Sequence, residues 1–176
     1  MHRENQQEIK ITELDIAWLA GLFNGDGCFA MNVRKKCWKG KRSIGVDLSI
    51  TLTQTDAIIV EKAVRLAELI TGVTPYVVEQ KPSGSGTHNK MNMRISRMAH
   101  IKPFIETLLP YMVGGKAAKA RLMLKYVTNR LSKMGDSVKE KNPRLCKEDW
   151  GLVVDFHGLT HKNTQMMPEV LEILRG

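Results

Sequence analysis

The sequence predicts an α+β domain in which a four-stranded antiparallel sheet carries helices on one face. Three observations predict it. Residues 29–53 and 76–96 each alternate apolar and polar side chains around an internal turn, the mark of two hairpins. Stretches of helical period precede, separate and follow these hairpins. The alternate positions of both hairpins are polar, so one sheet face must meet water or a ligand.

The first helix begins near Thr12, whose hydroxyl can cap the free amides, with Asp15 three positions on completing a box-like start. Leu14, Trp18, Leu22 and, one position off, Phe23 supply its apolar surface. After Gly27 the period changes to two. Phe29, Met31 and Val33 point inward while Asn32, Arg34 and Lys36 point outward; residues 38–43 form the turn, with Lys41 and Arg42 in it. The return strand places Val46, Leu48, Ile50 and Leu52 inward and Asp47, Ser49, Thr51 and Thr53 outward.

Residues 56–70 return to helical spacing, with Ile59, Ala63, Leu66, Ala67 and Ile70 on one side and Gly72 after the end. Residues 76–80, ending at Gln80, and residues 90–96 form the second hairpin around a Gly-Ser tip at 82–87. Met91, Met93 and Ile95 face inward there, and Asn92 and Arg94 outward. Helices follow over residues 100–109 and 116–132, separated by Pro110 and Gly114-Gly115. A further helix is expected around residues 148–156 and another from 168 to the end. Met91, Met93, Met112 and Met123 read as core filling.

The length of 176 residues suits one domain, with a core over about 12–132 and a helical extension over about 143–176. A formal net charge of +9, with cations clustered in residues 34–42 and 116–147, favours nucleic acid or another polyanion as partner. No apolar run approaches the roughly 20 residues that span a bilayer, and the first ten residues lack a secretory core, so no membrane partner and a soluble intracellular protein are expected. Cys28, Cys37 and Cys146 form no close pair and fit free thiols.

The segment of residues 19–27, LAGLFNGDG, concentrates the chemistry. Ala17, Gly21 and Gly25 recur every four residues, a ridge of missing side chains against which a second helix could pack. Two glycines inside a helix each cost about 1 kcal/mol relative to alanine, which calls for a compensating contact. Asp26 falls where Gly27 stops the helix. A two-fold copy would bring two such aspartates together, and carboxylates at close range repel unless cations lie between them. The carbonyl of Gly25 at the negative helix end would add an oxygen ligand suited to a hard ion.

These nine residues resemble the signature of the LAGLIDADG homing endonucleases, in their single-motif, homodimeric form. The resemblance extends over roughly residues 12–131. Its second anchor is residues 48–54, LSITLTQ, similar to the family's second strand, which ends in a polar residue at the active site. Its third is residues 109–111, LPY, followed by Lys116 and residues 120–124, ARLML.

The resemblance implies an αββαββα fold whose saddle-shaped sheet, doubled in a homodimer, lies along the major groove of double-stranded DNA. It implies Mg2+ or Mn2+ as cofactor, held by Asp26 and the Gly25 carbonyl, with Gln54 organising active-site water and Lys116 handling charge or a proton. The activity implied is a double-strand break with 3′ cohesive ends in a long, pseudo-palindromic target. Intron RNA maturation, and DNA regulation without cleavage, are the alternatives on this scaffold. Asn24 stands where the family usually has an acid, and Ile58 where some members have a base. The outward residues Asn32, Arg34, Lys36, Asp47, Ser49, Thr51, Thr53, Gln80, Asn92 and Arg94 are candidate base readers, and Lys41 and Arg42 candidate phosphate contacts.

Overall fold

The computed structural model describes residues 10–38, 41–82, 88–134, 144–159 and 170, with the side chains of residues 36–42 outside the description. Helix α1 (Glu13–Gly25) starts as its sequence dictates. The Asp15 amide donates to the Thr12 hydroxyl, and the Asp15 carboxylate accepts from the Thr12 amide and hydroxyl. The Thr12 hydroxyl and amide hold the Asp15 carboxyl below its usual range. Two antiparallel strands follow, β1 (Gly27–Trp38) and β2 (Lys41–Gln54), then α2 (Ala57–Thr71), capped by Asp56. Strands β3 (Tyr76–Gln80) and β4 (Lys90–Ile95) complete a four-stranded antiparallel sheet in the order β1-β2-β4-β3. Helix α3 (Met98–Leu108) runs into a 3-10 turn at Leu109–Tyr111; α4 (Gly114–Met134) and α5 (Lys147–Gly158) close the helical layer.

The period-two reading gives the sheet its sides. Phe29, Met31, Leu48, Ile50, Leu52, Met93 and Ile95 are buried beneath the helices, which contribute Phe104, Ile101, Leu108, Met123 and Val127. Met93, Met112 and Met123 are core residues, as expected, and Met91 is half-buried. The α1 face differs from expectation, whereas in α2 the expected Ala63, Leu66 and Ala67 are buried and only the edge of the face shifts. In α1 the buried stripe is Leu19, Ala20 and Phe23, whereas Leu14 is 83% exposed and Trp18 lies half-buried under the Lys62 ammonium, 4.4 Å from its ring centre. In α2 the fully buried position in the first turn is Val60 rather than Ile59. Helix α1 is apolar around much of its circumference, so spacing does not single out one face, whereas Glu61, Lys62, Arg65 and Glu68 mark the outer side of α2.

Beyond α4, the expected helix around 148–156 is α5, which packs on α4 and against β1. The expected helix from 168, the hairpin tip at 82–87 and the remaining tail lie outside the described residues. No described helix is long and apolar enough to cross a membrane.

One buried carboxylate ties α5 to α4. Asp149 is fully buried at the third position of α5. It accepts from the Cys146 amide at 3.0 Å, Asn129 Nδ2 at 3.0 Å, Arg130 Nη1 at 3.3 Å and Lys133 Nζ at 3.3 Å. Burial pushes its pKa up, but the Cys146 amide and thiol and the Lys133 ammonium outweigh that and leave it below the usual carboxylate range. Replacing Asp149 with alanine should cost about 3–5 kcal/mol in urea unfolding, because the 4%-exposed Arg130 loses this carboxylate. A depressed folded-state pKa stabilises fully above the unfolded value of about 3.9 and is lost as pH falls through the folded one. The wild type should therefore lose more stability than Asp149→Asn between neutral pH and about pH 3; equal losses would refute the role.

Candidate active site and polar sheet face

The candidate site forms where α1 ends against the sheet. Gly27 makes the turn possible: a Cβ there would lie 2.6 Å from the Phe23 carbonyl oxygen and 2.5 Å from its ring, so only glycine lets β1 leave so close to α1. Asp26, just before it, is the exposed C-cap, and its amide donates to the Leu22 carbonyl at 2.9 Å. In the β1–β2 register Gly27 stands opposite Leu52, so Gln54, two residues further and on the same side as Leu52, emerges beside the helix end. There Gln54 Nε2 donates to Asp26 Oδ2 at 2.5 Å.

Lys116 arrives from the first turn of α4 and donates through Nζ to the Gly25 carbonyl. Its placement is informative electrostatically. A cation in the first turn works against the dipole of α4 itself, yet it lies at the C-terminal end of α1, where a cation is favourable and where α1 has no basic residue of its own. Gly114, at φ 66°, starts α4 with a conformation that favours glycine. The 3-10 turn before it is anchored to α1 by a 2.8 Å hydrogen bond from the Tyr111 hydroxyl to Glu13.

Asp26, Gln54, Lys116 and the Gly25 carbonyl, dispersed over 91 residues of sequence, are thus brought together. A carboxylate and a carbonyl are hard oxygen donors of the kind Mg2+ selects. The geometry refines the expected pair, however: the Gly25 carbonyl accepts from the Lys116 ammonium, whereas Asp26 engages Gln54 through one oxygen and keeps the other available. Among the described residues no three His, Cys, Asp or Glu side chains cluster as a metal site. Asn24 is the penultimate residue of α1, with its Oδ1 enclosed and without a hydrogen-bond partner among the described residues. Ile58 is 75% exposed at the start of α2.

The outward sheet face carries most of the nominated readers. Asn32, Arg34, Gln80 and Arg94 are exposed, and Asp47, Thr51, Thr53 and Asn92 half-buried; Ser49 keeps the outward parity but is 7% exposed and so has little surface to offer. Some of them engage each other: Arg34 Nε lies 3.1 Å from Asp47, and Asn92 Nδ2 donates to the Thr53 hydroxyl at 2.7 Å. Lys36, Lys41 and Arg42 lie, as side chains, outside the described residues. Registration adds residues that the sequence reading passed over. Tyr76, Arg94, Thr51 and Cys28 form one row across all four strands, and Lys90 pairs with Gln80. Tyr76 is 67% exposed. The same alternation that selected Gln80 also points to Tyr76 and Lys90.

On α1, the ridge of Ala17, Gly21 and Gly25 faces outward. A Cβ added at Gly21 or Gly25 would meet nothing within 4 Å, and Leu14 prolongs the uncovered surface.

Comparison with known proteins follows these features. No curated protein sequence matches the chain. Among solved structures, the homing endonuclease I-CvuI, in complex with a DNA target, aligns with a TM-score of 0.62 at 24% identity, covering 93% of this chain and 94% of that one. The homing endonuclease I-TnaI aligns at 0.56 and 16%, covering 95% and 98%. The LAGLIDADG homing endonuclease I-GzeII, in complex with its DNA target, aligns at 0.57 and 14%, covering 89% of this chain but 47% of that one. At these identities the likeness is one of fold. The family model described as LAGLIDADG endonuclease matches residues 19–127, which hold the second half of α1, both hairpins and Lys116, and the chain belongs to that family.

Proposed function

We propose that the protein is a metal-dependent DNA endonuclease that binds a long, pseudo-palindromic duplex as a homodimer and breaks both strands, leaving 3′ cohesive ends. The observation that carries this reading is the convergence of Asp26, Gln54 and Lys116 at the exposed end of α1, beside a polar sheet face long enough to follow a groove. The alignment with nearly all of I-CvuI but about half of I-GzeII supports one subunit per half-site.

In this reading Asp26 holds Mg2+ or Mn2+, which when bound would polarise the scissile phosphate and acidify a water. The chain's own residues do the rest. Gln54 orients the Asp26 carboxylate and presents its amide oxygen to the attacking water. Lys116, already beside the negative end of α1, offset the charge that grows on the phosphate oxygens. The uncovered ridge of α1 receives the partner helix, so two copies of Asp26 meet near the axis and each strand has its own carboxylate. Outward side chains of the sheet read base edges in the major groove.

The deciding experiment incubates the protein with a randomised duplex library and Mg2+ and sequences the ends. Ends with one fixed stagger at a recurrent, near-symmetric site are expected. Selective binding without cutting would instead identify a DNA regulator, and selective capture of a structured intron RNA a maturase.

A further inference from the structure

A second basic feature lies away from the catalytic cluster. Where β4 ends and α3 begins, a cavity of about 540 Å³ opens beside the start of β3, lined in part by Thr74, Tyr76, Arg94, Ser96, Arg97 and His100. Two arginines and a histidine therefore line one space, and none of its lining residues is a carboxylate. None of Arg94, Arg97 and His100 has an acceptor among the described residues. Glu68 of α2, near this end of the molecule, is engaged by the Thr74 hydroxyl at 2.5 Å and lies outside the lining. Like charges gathered without a counter-charge repel one another, so such a cluster is stabilised by an anion.

The backbone contributes in the same sense. Arg97 is the N-cap of α3 in extended conformation, and no side chain caps the helix. The His100 amide donates to the Arg97 carbonyl at 3.0 Å, which leaves the Met98 and Ala99 amides without an intrahelical acceptor, and the positive end of α3 begins at the Arg97 that lines the cavity. The cavity is also continuous with the polar sheet face, because Arg94 and Tyr76 are register partners on that face and line the cavity as well.

We infer that this cavity is a phosphate site that grips one backbone phosphodiester of the bound duplex at the outer end of the polar sheet face. The inference rests on the duplex-binding reading above and extends it: Arg97 and His100 hold the register of the protein on the backbone and carry no sequence information. Arg97 is exposed, so its replacement leaves the core untouched.

The test compares the wild type with Arg97→Ala and Arg97→Lys on cognate and scrambled duplexes over a salt series. Arg97→Ala should weaken both duplexes by a similar factor of about three to ten and reduce the slope of log K against log salt by about one per subunit. Arg97→Lys should restore the slope. Neutral methylphosphonate placed singly along the flanks should weaken wild-type binding at one phosphate per half-site and have no further effect there on Arg97→Ala. Unchanged affinity and slope in Arg97→Ala, a loss confined to one base pair, or additive effects at every phosphate would overturn the inference while leaving the duplex reading intact. A wild type without salt-dependent duplex binding would overturn both.

Discussion

Replacing Asp26 with asparagine should abolish strand cleavage, by about three orders of magnitude or more, and leave duplex affinity unchanged or slightly higher. The substitution separates charge from shape. Asparagine is isosteric with aspartate, and its Oδ1 can still accept the amide of Gln54, so the 2.5 Å contact that joins the α1 terminus to the end of β2 survives. The fold has no reason to change, because Asp26 is exposed and caps α1 through its backbone amide. Lost is the negative charge that attracts a divalent ion. Lewis-acid stabilisation is worth several kcal/mol, and each 1.4 kcal/mol is a factor of ten in rate. Removing a negative charge beside a phosphate backbone also relieves repulsion, so affinity does not fall. Gel-shift titration without divalent metal and single-turnover cleavage with Mg2+ measure the two halves of the expectation. Cleavage at wild-type rate by Asp26→Asn would remove Asp26 from the chemistry, and parallel loss of binding and cutting would assign it to recognition.

Much of this site could be read in the sequence, and the limits of that reading have physical causes. Asp26 is legible because a helix-to-strand change of period leaves a carboxylate and a glycine at one point in the chain. Gln54 comes from the resemblance of residues 48–54 to the family's second strand, and strand parity agrees with it, since it continues the inward series Leu48, Ile50, Leu52 past the edge of the core. Lys116 is different: its partner is a backbone carbonyl 91 positions away, and no local pattern encodes that distance. The same applies to Arg130 and Asp149, which look like ordinary helix charges until α5 folds back on α4. The helix face fails where apolar residues surround the axis, as at Leu14 in α1; in α2, whose charges fall on one side, it holds apart from the exchange of Val60 for Ile59 at its edge. In both helices tertiary contact with α3 and the sheet selects the buried side. The cavity at the start of α3 was invisible for a related reason, because Arg94 and Arg97 sit on different elements and only the chain's turn at Ser96 directs them into one space.

The exposed side of α1 supplies the second large effect. Replacing Gly21 with leucine should leave each chain folded yet destroy assembly and cleavage together. In a single chain the new side chain meets open space, since even a Cβ at this position has nothing within 4 Å. Leucine also favours a helix interior over glycine by about 0.8 kcal/mol, so the isolated subunit is, if anything, stabilised. The glycine is therefore unfavourable for the lone chain, and in the proposed homodimer a partner helix that needs its ridge clear would be the compensating contact. Helices in contact lie about 8–10 Å apart, the near end of that range requiring small residues at the crossing. Overpacking such a seam costs about 1–3 kcal/mol per site, and a two-fold axis applies the cost twice, so the dissociation constant should rise about a hundredfold or more. Gly27→Ala provides the contrast, because its Cβ strikes the Phe23 backbone and damages folding itself. Sedimentation and unfolding at several protein concentrations distinguish these cases. The wild-type midpoint should rise with concentration, whereas that of Gly21→Leu should not. A Gly21→Leu protein that still dimerises and cuts would place the two-fold axis away from α1, and with it would fall the pairing of the two Asp26 carboxylates across that axis.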